Sequence, residues 1–155
     1  METKTLILIR HAHRDKKLGR EIDNGLSPKG RAQVAEVRAF YKKRFSGARA
    51  QFISSPKKRC TQTLGPLATF AKAKIKLSVD LDEGGNVDQK ARNFFLQWKR
   101  NPSALTVVSS HGDWIPVFTE LAFGIAIDIS KAGWIEIVQD TGSLRLTWVI
   151  QTWNF

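Results

Sequence analysis

The chain has 155 residues, with 25 Lys and Arg against 14 Asp and Glu and a formal net charge of +11; that length suits one domain with one core and excludes two. Its 42% hydrophobic content, without a repeat or low-complexity tract, excludes a disordered, collagenous or solenoid protein. The first apolar run, Leu6 to Ile9, is too short for a signal peptide or a membrane span, and the single cysteine, Cys60, excludes an internal disulfide and points to the reducing cytoplasm.

In chain order, Thr5 to Ile9 predicts a short buried strand. Ser27-Pro28 then predicts a helix start, a hydroxyl cap followed by proline at the first helical position, with the helix running to about Phe45. Val34, Val37, Tyr41 and Phe45, three and four apart, form its expected buried stripe. Gln51 to Ser54 reads as a second strand, and Ser55-Pro56 repeats the cap-plus-proline signal before a helix reaching about Ala71. A third strand follows at Ile75 to Val79, a helix at Asp88 to Lys99, a strongly apolar strand at Leu105 to Ser109 and a helix from about Asp113 to Ala122. Trp134 to Gln139 and Ser143 to Ile150, joined by Asp140-Thr141-Gly142, predict an antiparallel hairpin with Leu144, Leu146, Trp148 and Ile150 alternating onto one face.

Strands separated by helices predict a mainly parallel sheet covered on both faces. The expected fold is a single three-layer α/β/α domain over residues 1–155, with the C-terminal antiparallel hairpin at one edge. Ligands of such sheets bind beyond the carboxyl ends of the strands. His11 and His111 directly follow the two most apolar strands, so both belong at that edge and close together.

Arg10 precedes His11, and Arg59 falls in the first turns of the helix after Ser55-Pro56. Guanidinium groups suit bidentate contact with phosphate oxygens, and helix starts, including the one after His111-Gly112, point free N–H groups at anions. Arg10, His11, Arg59 and His111 thus read as an anion pocket holding an imidazole nucleophile, kept unprotonated by the neighbouring guanidinium charges. Blander and rival readings stand beside this one. A histidine after a strand is ordinarily structural, His13 reads as loop surface, and Cys60 as a packed small residue without the Cys-x5-Arg loop of cysteine phosphatases. Trp114 is expected at the pocket mouth. His11-Ala12-His13-Arg14-Asp15 spells the His-x-His-x-Asp of binuclear metallohydrolases, but only His111 remains as a further histidine, and Arg10 and Arg14 oppose a cation. The basic excess alone also fits a non-catalytic module binding phosphoprotein or nucleic acid, although no recognised nucleic-acid motif occurs.

Four ordered segments decide among these. Leu8-Ile9-Arg10-His11-Ala12, Leu26-Ser27-Pro28-Lys29-Gly30-Arg31-Ala32-Gln33, Ser54-Ser55-Pro56-Lys57-Lys58-Arg59-Cys60-Thr61-Gln62-Thr63 and Ser109-Ser110-His111-Gly112 together resemble the motifs of the histidine phosphatase, or phosphoglycerate mutase-like, superfamily. The resemblance implies a cofactor-free and metal-free phosphatase. In it His11 becomes phosphorylated, Arg10, Arg59, His111 and Gly112 hold the phosphoryl oxygens, and Glu83 protonates the leaving oxygen. Asp15, in the loop after the nucleophile, is the alternative donor. Two departures stand out: Ala12 replaces the usual glycine, a strain if that position needs positive φ, and Lys17 stands where the family often has a small or amide residue. The chain has no room for the substrate-covering insertions of phosphoglycerate mutases. It is similar in size to compact SixA-like phosphohistidine phosphatases, and its short Glu83-Gly84-Gly85-Asn86 connection and its positive charge fit an open site for a phosphoprotein. A small phosphomonoester, a sugar phosphate or nucleotide, is the alternative substrate. Oligomeric state is not legible.

Overall fold

The computed structural model describes residues 3–153. Six strands form one sheet in the order β3-β2-β4-β1-β5-β6. They are β1 (Lys4–Arg10), β2 (Gln51–Ser54), β3 (Ile75–Leu77), β4 (Leu105–Ser110), β5 (Trp134–Asp140) and β6 (Ser143–Ile150). The first four run parallel, and β5 and β6 are antiparallel additions at one side. The helices α1 (Pro28–Phe45), α2 (Lys58–Phe70), α3 (Val87–Arg100) and α4 (Trp114–Phe123) make the connections, with a single 3-10 turn at Val79–Leu81. This is the expected three-layer α/β/α fold. No helix among the described residues is long and apolar enough to cross a membrane.

The pleat divides the core. Ile7 and Ile9 face Val34, Val37, Tyr41 and Leu67 of α1 and α2, whereas Leu6 and Leu8 face Phe94, Trp98, Trp114 and Phe118 of α3 and α4. Both layers bury β4 completely, so its sequence, LTVVSS, shows no alternation of buried and exposed positions. Its register with β1 places Arg10 opposite Ser110, and the two strands therefore deliver His11 and His111 to the same edge at the same level.

Three expectations are corrected. Helix α2 begins at Lys58, not directly after Ser55-Pro56: the Ser55 hydroxyl is shared between His111 Nε2 at 2.8 Å and a long contact from Lys57 N–H at 3.4 Å, and the Lys58 N–H is capped by Asp23 Oδ1 at 2.9 Å. By contrast, Ser27 caps α1 as its sequence predicts, accepting from Gly30 N. In β6 a bulge sets Trp148 opposite Glu136 and Leu146 opposite Ile137, leaving Thr147 as the extra residue. An extra residue flips the pleat. Leu144 accordingly packs on the α3 and α4 side, whereas Trp148 meets Phe40 of α1 and Ile150 joins that core. Finally, Trp114 lines no pocket mouth: it is fully buried, stacks on Phe118 at 5.0 Å and donates its Nε1–H to Asp80 O.

Candidate active site

His11 leaves β1 with its backbone N–H still bonded to Ser110 O at 3.0 Å, and only 6% of the residue is exposed. Its Nδ1 lies 2.8 Å from Ala12 O. A carbonyl oxygen can only accept, so Nδ1 carries the proton and the neutral ring keeps its lone pair on Nε2. That nitrogen accepts from Arg59 Nε–H at 3.3 Å. Burial, followed by the charges of His111, Arg59 and Arg10, outweighs the Ala12 hydrogen bond and lowers the His11 pKa to about 3. At neutral pH the imidazole is therefore uncharged, as a nitrogen nucleophile must be.

Arg59 stands in the first turn of α2, buried between the two histidines. Its Nη2 is 3.4 Å from His111 Nδ1 and forms an ion pair with Glu83 Oε1. The other carboxylate oxygen of Glu83 lies 3.4 Å from His111 Nδ1. His111 also touches Ser55 Oγ through Nε2 at 2.8 Å, and the rings of His11 and His111 meet edge to face at 5.4 Å. Burial lowers the His111 pKa to about 4, with the Glu83 carboxylate opposing and the Arg59 charge assisting. Burial pushes the Glu83 carboxyl up, but the Arg59 hydrogen bond and the charges of His111, Arg59 and Lys57 together leave it below the usual carboxylate range. Near neutral pH, where His111 is uncharged, Arg59 in direct contact and Lys57 beyond it are the cations that keep Glu83 ionised. The Glu83 carboxylate thus spans the two groups best placed to receive an oxyanion.

Arg10 reaches the same edge from the end of β1. It donates Nη1–H to Ile129 O at 2.8 Å, and its guanidinium lies flat on Gly112, where a Cβ would come within 2.7 Å of Arg10 Cζ. A side chain at residue 112 would displace the Arg10 guanidinium from this position. Ala12 does not have positive φ, is fully buried and donates its N–H to Thr63 Oγ1, so the methyl in place of glycine causes no strain. Gly30 is fixed by packing too, since a Cβ there would fall 2.0 Å from His13 O. The His13 ring turns away to Ser27 Oγ at 2.6 Å, so the two histidines of His-x-His do not converge. Asp15 folds its carboxylate back onto Lys17 N at 2.9 Å. Cys60 is buried, and burial pushes its thiol up to about 12, which leaves it unreactive.

A profile of the histidine phosphatase superfamily (branch 1) matches residues 6–93, more than half of the chain. The chain belongs to the histidine phosphatase superfamily. Solved structures carry the same fold. The phosphoserine phosphatase of Entamoeba histolytica, in complex with 3-phosphoglyceric acid, is 21% identical at a TM-score of 0.77, over 96% of this chain and 98% of its own. Mycobacterial glucosyl-3-phosphoglycerate phosphatase is 16% identical at 0.77, over 97% and 100%. A mycobacterial hydrolase is 15% identical at 0.79, over 97% and 100%. Curated protein sequences give no match. This histidine phosphatase chain is a hydrolase of that type, and among its described residues no group of three or more His, Cys, Asp or Glu is placed to hold a metal ion.

Of the residues singled out from this histidine phosphatase sequence, His11, Arg59, His111 and Glu83 come together directly, and Arg10 joins them through Gly112. The Asp15 carboxylate is turned instead to Lys17 N. Sequence reasoning missed Ser55, the partner of His111, and Thr63, which holds the backbone next to His11. Both lie in the motif around Arg59, and the signal available was their hydroxyl chemistry within an otherwise basic segment.

Proposed function

We propose that the chain hydrolyses small phosphomonoesters, with His11 Nε2 as the nucleophile. The observation that carries this is the Nδ1–H bond from His11 to Ala12 O, which leaves the Nε2 lone pair facing Arg59 in a ring that is neutral at working pH. Substrate oxygens take over Arg59 and His111, with Arg10 assisting. Nε2 attacks phosphorus in line, the ester P–O bond breaks, and the leaving oxygen receives a proton from Glu83. Water then attacks the phosphohistidine, giving its proton to the Glu83 carboxylate as the P–N bond breaks and phosphate departs. Glu83 must be protonated for the first step although it rests ionised. Displacing it from Arg59 removes the cation in direct contact, and substrate binding thereby raises its proton affinity.

The phosphoserine and glucosyl-3-phosphoglycerate phosphatases that share the fold are named for small phosphorylated substrates, which supports this substrate class. A phosphohistidine-bearing protein, the substrate of SixA-like enzymes, has no such support in the similar structures described above. We place the activity in the reducing cytoplasm, in one catalytic domain over residues 1–155.

The test is phosphate release from a panel of small phosphoesters and a phosphohistidine protein, with His11→Ala as the blank and exhaustive chelation as a control. Small esters should turn over without metal. Label quenched during turnover should sit on His11 in an acid-labile, alkali-stable linkage, as a phosphoramidate does. Release confined to the phosphohistidine protein would overturn the substrate class. Label on serine, aspartate or cysteine would overturn the mechanism.

A further inference from the structure

Beside the histidine pocket lies a cavity of about 700 Å³, bounded by the start of α1, the turn at residues 129–132 and the chain after β6. Its walls carry Arg10, His13, Lys29 and Lys131 against one carboxylate, Glu36. Arg10 belongs to both spaces. One side of its guanidinium covers Gly112, next to His111, while its buried Nε–H has no acceptor among the described residues. Lys131 is half-buried on the opposite rim. After burial, the influences that hold its amine below the ordinary lysine range are all positive charges, those of Lys16, Arg10, Arg20 and Arg14. Arg14 in turn acts on Arg59 and Glu83. Basic side chains thus stand between the histidine pocket and Lys131, with Glu83 and Asp23 as the acidic neighbours of Arg14.

Like charges gathered at one place cost folding free energy, and a counter-anion offsets that cost. In the histidine pocket the chain supplies its own anion, Glu83 on Arg59. At Lys131 the described residues place none of comparable closeness. The phosphoryl group undergoing transfer is already served by Arg10, Arg59 and His111, so the lysines are surplus to it. The cavity lies within the size range of small-molecule sites and is wide enough for the remainder of a substrate. We propose that this cavity is a second anion subsite, in which Lys131 and Lys29 bind a phosphate or carboxylate carried by the leaving group. The substrate is then a small phosphomonoester with a further anionic terminus. This rests on the phosphatase reading above.

A matched series tests it: propane-1,3-diol monophosphate, its 1,3-bisphosphate and 3-(phosphonooxy)propanoate share one chain and differ only in a neutral, phosphate or carboxylate terminus. At low salt, kcat/KM for at least one anionic member should exceed that of the neutral one by about tenfold or more, chiefly through KM, and which member gains identifies the anion. High salt should shrink the advantage, since the rim charges are partly exposed. In the Lys29→Gln/Lys131→Gln variant the advantage should vanish while turnover of the neutral monophosphate persists, which also reports that the variant is folded. Equal kcat/KM for all three in the unaltered protein, or an advantage surviving in the double variant, would overturn the subsite and leave the phosphatase standing. No turnover of any member would overturn the phosphatase reading itself, and the subsite with it.

Discussion

The histidine pocket and the lysine-rimmed cavity are both basic, and they handle their charge in opposite ways. In the pocket Arg59 is 2% exposed, and a buried cation of that kind must be paired, because desolvation would otherwise be prohibitive. The chain pairs it with Glu83 from the loop before α3. Around the cavity Lys16, Lys29 and Arg20 remain in water, which screens them, so no internal partner is needed. The pocket is thus self-neutralised in its resting state and must exchange one anion for another. The cavity is open to an anion at all times. On the proposals above, one region selects a step of chemistry and the other holds a molecule in place.

Breaking the first region should cost most. Arg59→Ala should lower kcat/KM by about a hundredfold or more, the scale for losing one preorganised donor to the transition state, and His111→Ala should act on the same scale. Steady-state rates on any turned-over ester check both, and rates like the unaltered protein's in both variants would mean that the phosphoryl group binds elsewhere. Next comes Glu83→Gln, whose effect depends on the leaving group. An alkoxide must be protonated as it leaves, so an alkyl phosphate should slow by roughly a hundredfold, whereas p-nitrophenyl phosphate should slow much less. Equal losses on the two esters, or a leaving-group-dependent loss in Asp15→Asn instead, would reassign the acid. The same variant sharpens the contrast between the regions. A neutral amide competes less for Arg59, so inorganic phosphate should inhibit Glu83→Gln more strongly than the unaltered protein.

Much of the fold was legible because local signals and burial agreed. Ser27-Pro28 starts α1 where the sequence places it, and the apolar runs of β1 and β4 carry His11 and His111 to one edge. The failures have a common cause, a side chain recruited over long range. Ser55 carries the same cap-plus-proline signal as Ser27, yet its hydroxyl is drawn to His111 Nε2 at 2.8 Å and keeps only a long contact with Lys57 N, while Asp23 caps Lys58 N. In β6 the alternation of Leu144, Leu146, Trp148 and Ile150 is present in the sequence, but a bulge leaves no trace in a period-two pattern, and Thr147 turns the second half over. At the site the sequence placed Arg10, His11, Arg59 and His111 together, and the structure brings them to one edge of the sheet. The Arg59–Glu83 ion pair was not, since spacing gives no measure of which loop closes over which helix.

The smallest effect is on stability, and it separates the two regions by pH. An unfolded histidine titrates near 6.5, whereas His11 and His111 in the fold are lowered to about 3 and about 4. Between those limits the unfolded chain binds protons that the folded pocket refuses. Their contribution is therefore complete above about pH 6.5 and is lost as the pH falls, at no more than about 1.4 kcal/mol per pH unit for each histidine. Carboxylates titrate mainly below this range, so the window from pH 6.5 to pH 5 isolates the imidazoles. Urea midpoints measured across it should fall with decreasing pH in the unaltered protein. They should fall less steeply in His11→Asn and in His111→Asn, each of which removes one proton acceptor from the unfolded state. His13 borders the cavity and is only half-buried, and burial and the charges of Lys131, Lys29 and Lys16 lower its pKa, whereas His11 and His111 are almost wholly buried. His13→Asn should therefore leave most of the slope in place. A slope abolished by His13→Asn and retained in both pocket variants would mean that the acid sensitivity, and with it the buried neutral imidazole, belongs to the cavity and not to the site of chemistry.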